Sequence, residues 1–153
     1  MKRRRITFTM LVILCLCTIF LFSHQIGKTS ESISDRFTIK IIDIYSRISG
    51  KEFSASRRKE LVKDLRKVVR KSAHFTIYFL LGIFVYGTLK NYRVKHAVLF
   101  AILFCFLYAC SDEVHQLFVA NRTGRVFDVL IDTFGASVGI GLVFLFKKLI
   151  KDN

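Results

Sequence analysis

Proline is absent from this chain, so neither a proline-rich linker nor a proline-kinked helix is part of it. Acidic residues are scarce: 11 Asp and Glu stand against 25 Lys and Arg, for a net charge of +14. Cysteine is scarce as well. Cys15, Cys17, Cys105 and Cys110 all fall inside apolar runs, none with a partner at a recognisable metal spacing. They read as small buried hydrophobes. What the chain does have is apolar bulk, with 52% of its 153 residues hydrophobic and 14% aromatic. A soluble domain of this size carries less, so the composition points to a single membrane domain over residues 1–153. In that setting the excess positive charge marks segments facing anionic lipid, and nucleic acid is not an expected partner.

A membrane-spanning helix needs about 20 mostly apolar residues. Four stretches meet or approach this: about 6–22, 72–89, 97–117 and 126–146. The third is free of polar groups only over 97–110, which gives about 21 Å of helix. It is therefore expected to stay helical into 111–117. The fold class expected is all-α, a polytopic membrane protein with four transmembrane helices. The first span follows a Lys-Arg-Arg-Arg start. Bulky Phe20-Leu21-Phe22 closes it where a cleavage site would need small residues, and Leu14 precedes Cys15 where a lipobox would need one. An uncleaved signal anchor is expected.

Residues 23–71 hold 13 basic and 6 acidic residues. Ile33, Phe37, Ile41, Ile44 and Ile48 recur at helical spacing, and so do Leu61, Leu65, Val68 and Val69. Gly50 divides the two sets. Between the first and second spans, segment 32–70 thus reads as two amphipathic interfacial helices on the bilayer, the second strongly cationic.

Orientation rests on the basic segments. Lys2–Arg5, 90–95 and 147–151 share one side and are all short and basic, so both termini are expected in the cytoplasm of a bacterial cell. The longer basic loop on the other side weighs against this, but the first span usually dominates. The parity of four spans carries a further consequence. The end of span one, the start of span two, the end of span three and the start of span four must share one face. The unusual polar residues cluster there: Ser23 and Gln25; Lys71 and His74; Asp112, Glu113, His115 and Gln116; Arg122, Arg125, Asp128 and Asp132.

Residues three and four apart share a helix face. Asp112 aligns with His115 and Gln116, Lys71 with His74, His74 with Tyr78, and Asp128 with Asp132. Asp132 lies about 9 Å into span four. A carboxylate at such depth costs about 2.5 to 3.5 kcal/mol unless neutralised or paired. Arg122, Arg125, His74 and His115 are the expected partners, with Asp128 and Asp132 turned into the bundle. The alternative to a functional pocket is a set of structural pairs, Arg125–Asp128 and His74–Asp132, that staple helices. Gly135 and Gly139 form a small-xxx-small seam, expected to pack within the chain rather than to form a homo-oligomer.

The stretches KSAHFTIYFLLG and SDEVHQLFVANRTGRVFDVLIDTFGASVGI, with FSHQIGKTSESIS after span one, resemble the VanZ-like family of bacterial membrane proteins. The resemblance covers most of the chain beyond span one. Val119-Ala120-Asn121-Arg122 departs from it, since family members often carry a proline in that turn. The resemblance implies a tie to teicoplanin-type glycopeptide resistance. It also maps the family's pattern onto Lys71, His74, Asp112, Glu113, His115, Gln116, Arg122, Arg125, Asp128 and Asp132.

Three functions compete. One is an envelope protein whose extracytoplasmic polar pocket binds an anionic lipid or cell-wall-precursor head group, with Lys71, Arg122 and Arg125 facing phosphate. Another is a membrane enzyme acting on a phosphorylated lipid. For that reading His74, Asp112, Glu113, His115 and Asp128 are candidate ligands for a divalent metal, although no HExxH-type signature is present and no cofactor is certain. The last is a small ion-coupled transporter, since buried acids serve as proton relays. The second half of the CDP-alcohol phosphotransferase motif occurs without its first half, and the Ser-Gly-His motif of phosphatidic-acid phosphatases is missing.

Overall fold

The computed structural model describes residues 2–24, 27–120 and 124–152, and only the backbone for 27–33, 67 and 151–152. Helix is the only regular structure among them. The order is α1 (Lys2–His24), α2 (Gly27–Ser49), α3 (Ala55–Asn91), α4 (Ala97–Leu117) and α5 (Val126–Asp152). Four of these, α1, α3, α4 and α5, are long and apolar enough to cross a membrane. The protein is a multi-pass membrane protein, and α4 stays helical through Leu117 as its length requires.

The core is built from small residues. On α4 the buried face is Ala97, Ala101, Cys105 and Ala109, while Leu99, Phe100, Leu103, Phe104 and Leu107 point outward. In lipid, large apolar side chains gain nothing by turning inward, and small ones let backbones approach. The same logic governs α3 against α5, the most extensive contact of the fold. A Cβ added to Gly135 would fall 2.6 Å from the Phe75 carbonyl, and Gly82 and Gly139 meet the backbone of Ala136 and Phe79 in the same way. The Gly135/Gly139 seam therefore packs on α3 within the chain. Tyr108 ties α4 to α1 by donating to the Leu16 carbonyl at 2.8 Å.

The segment between the first two spans departs from expectation. Gly50, at φ +65°, ends α2 as the sequence suggests. The cationic stretch 57–70, however, is no separate surface helix. It is the first half of α3, a single helix of 37 residues. Hydropathy changes at 70–72, but Val-Val-Arg-Lys-Ser-Ala contains nothing that interrupts the hydrogen-bond ladder. At 1.5 Å per residue α3 is about 55 Å long, against about 30 Å of hydrocarbon. Its basic half therefore extends past the span, with α2 folded back antiparallel along it. Arg66 holds Asp35 bidentately at 2.6 and 2.9 Å, and Arg58 pairs with Asp43. Ser34, Thr38 and Ile42 are buried on α2, whereas Phe37, Ile41, Ile44 and Ile48 stay exposed.

Candidate functional site

The end of the bundle that parity singles out is where α3, α4 and α5 bury their charge. His24 at the end of α1 meets His115 near the end of α4, Nδ1 to Nε2 at 3.3 Å, so those two ends share a face. At the other end, Arg5 donates to the Asn91 carbonyl at 3.0 Å.

From α4, Asp112, Glu113 and Gln116 all turn inward and are buried. They continue the face of Ala101, Cys105 and Ala109, so one stripe changes from small and apolar to acidic without changing direction. Gln116 serves both neighbours, donating from Nε2 to Asp112 Oδ2 at 3.1 Å and to Glu113 Oε1 at 3.2 Å. The other Glu113 oxygen accepts from the Arg125 backbone N–H at 2.7 Å. Gly124 makes that link possible, because a Cβ there would sit 2.7 Å from the Glu113 carbonyl. This is the structural reason for a glycine between Thr123 and Arg125.

From α3 come Arg70, Lys71 and His74, and from α5 come Asp128, Ile131 and Asp132. With Glu113 and Gln116 they line a narrow cleft of about 10 Å³, room for one water or one ion. Lys71 Nζ lies 2.7 Å from Asp128 Oδ1 and 4.8 Å from the centre of the Phe127 ring. Its side chain is 35% exposed, so it stands at the lip rather than on the floor. Asp132 is on the floor, 1% exposed, and neither of its oxygens has a hydrogen-bond partner among the described residues. The nearest basic group is His74 Nδ1, 3.6 Å from Oδ2. His74, Asp112 and Asp132 each offer one donor atom, and these atoms lie within 4.8 Å of one another.

Several sequence-level pairings are redistributed. Both aspartates of α5 face inward, but Asp128 pairs with Lys71, not with Arg125. Arg125 contributes its backbone N–H while its side chain is exposed. His115 does not join Asp112: its ring stacks on Phe20 at 4.9 Å, on the flank facing α1. Ser23 is fully buried on the face of Cys15 and Ile19, its hydroxyl without a partner among the described residues. Gln25 and Arg122 lie outside the described residues.

Sequence reasoning did not single out Arg70 or Tyr78 as site residues. Arg70 lines the cleft one residue before Lys71, and it had no signal beyond its charge. Tyr78 did have one, since it lies one turn past His74 on the same face. It is fully buried, with a hydroxyl that finds no partner among the described residues.

Among the donors, only His74, Asp112 and Asp132 form a group that could hold a metal ion among the described residues. Glu113, His115 and Asp128, also candidates from sequence, are engaged elsewhere as described. No curated protein and no solved structure matches the chain significantly. One family model does, VanZ/LLP1, over residues 8–147. That match takes in two of the spanning helices whole, most of the other two and every residue of the cleft, and the chain belongs to the VanZ/LLP1 family.

Proposed function

We propose that this is a bacterial cell-envelope protein whose carboxylate-lined end faces outward from the cytoplasmic membrane, where its basic lip holds the anionic head group of a lipid or cell-wall precursor. One observation carries the reading. Arg70 and Lys71 line a cleft whose interior admits no more than one small ion or water, so a phosphate would rest on the lip. Arg125 is tied to cleft residue Glu113 through its backbone N–H and keeps its side chain exposed. The basic half of α3 supplies further cations along the same helix, including Arg57, Lys59 and Lys63. The exposed apolar stripe of α2 suits contact with the bilayer surface. Through head-group capture the protein would act on glycopeptide susceptibility, in keeping with its family.

The test is lipid retention in nanodiscs, read by native mass spectrometry with phosphatidylglycerol against phosphatidylcholine. Arg70→Ala and Arg125→Ala should each lower retention of the anionic lipid about fivefold, at about 1 kcal/mol per cation near the surface. Equal retention of both lipids by the wild type overturns the reading. Orientation is tested by cysteine labelling at positions 91 and 123. Reaction of position 91 but not 123 from outside would invert the protein and remove the envelope role.

A second reading, a membrane-embedded enzyme acting on a phosphorylated lipid, is favoured by His74 beside Asp132. A buried imidazole–carboxylate pair is the unit from which proton transfer is built.

A further inference from the structure

Charge balance at the site is incomplete among the described residues. Of the four carboxylates, Asp128 has Lys71 and Glu113 has a backbone N–H and an amide. Asp112 has only one amide hydrogen bond, from Gln116. Asp132, the most buried of the four, makes no hydrogen bond among the described residues, and its basic neighbour is His74 at 3.6 Å, a cation only when protonated. An unpaired buried carboxylate is costly, and two facing each other are more so. His74 offers an imidazole nitrogen to the same point from the third helix.

We propose that His74, Asp112 and Asp132 bind one divalent transition-metal ion. Two carboxylates match the charge of such an ion, and an added imidazole selects Zn²⁺ or Mn²⁺ over Mg²⁺ or Ca²⁺. Donors about 2.1 Å from a tetrahedral ion lie about 3.4 Å apart, so donor atoms within 4.8 Å of one another close on an ion with a shift of less than about 1 Å in each side chain. Two of the three donors, His74 and Asp132, line the cleft, whose free volume is that of one ion. Three donors from three different helices make the ion a cross-link between α3, α4 and α5 at the polar end of the bundle. They leave coordination positions open toward the lip, where an anionic oxygen would complete the shell. The site does not depend on the head-group reading, whose residues are the cations of the lip.

The test uses the full chain in detergent, purified without metal-affinity chromatography, stripped with chelator and dialysed against Zn²⁺ or Mn²⁺. Mass-spectrometric metal analysis should find about one ion per chain, and the melting temperature should rise with ion concentration, as binding to the folded state demands. Asp132→Asn and Asp112→Asn should each weaken binding at least about tenfold. Arg70→Ala and Arg125→Ala should keep the full metal content, which separates loss of this site from loss of lipid binding. If either aspartate variant is poorly folded by circular dichroism, the wild-type titration decides. Wild type that takes up neither ion, or folded Asp132→Asn that keeps wild-type uptake, overturns the proposal and leaves the two aspartates sharing a proton.

Discussion

The two ends of this four-span bundle treat charge in opposite ways. At one end, cations stay at the surface and are satisfied without a carboxylate. Arg5 donates to the Asn91 carbonyl and lies over the Tyr92 ring, and Lys147 lies over the Tyr86 ring. Long basic side chains can do this because their apolar stems reach the interface while the head stays wet. At the other end, carboxylates on short side chains cannot reach water. They are held in place by an amide, a backbone N–H, Lys71 and His74. The lesson is that the surface end needs no particular geometry, whereas the buried end works only if three helices arrive in register.

The comparison breaks most completely when the register is removed. Gly139→Leu forces a side chain into the backbone of Phe79 and should cost about 3 kcal/mol or more, read as loss of the folding transition in detergent. Gly124→Ala is expected next, at about 1 to 3 kcal/mol. It pushes the turn off the Glu113 carbonyl and leaves a buried carboxylate oxygen without its N–H. A melting temperature equal to wild type would mean that the turn closes without this bond.

Asp132→Asn sharpens the contrast rather than breaking it. In metal-free detergent it should leave the melting temperature unchanged or raise it, because it removes a buried charge that has no full partner. If Asp132 is instead a structural staple to His74, the variant melts lower. The smallest effect belongs to the other end: Arg5→Ala should stay within about 0.5 kcal/mol, since it removes an interfacial contact and opens no cavity.

Much of this could be read without coordinates. Four apolar runs and a strict parity rule place Asp112, Glu113, His74 and Asp132 at one end, because a chain that crosses a bilayer has no other way to connect its spans. The helical stagger also places Asp128 and Asp132 on one face. What it leaves open is how each helix is rotated about its own axis. Asp112, His115 and Gln116 span about 100° around α4, with Asp112 between the other two. The packing of Ala101, Cys105 and Ala109 then turns Gln116 inward and leaves His115 on the flank against Phe20.

The sequence by itself determined the class of protein, the number of spans, the end that carries the polar residues and the small-residue seam of α5. Each of these follows from hydropathy and local spacing along one chain segment. Only the tertiary structure decided that α3 runs unbroken from its basic half into the bilayer and that α2 folds back on it. It also decided that Lys71 rather than Arg125 takes Asp128, and that Asp132 is left facing Asp112 and His74. Those outcomes depend on distances between helices, and these are set by how closely Gly82, Gly135 and Gly139 let the backbones approach.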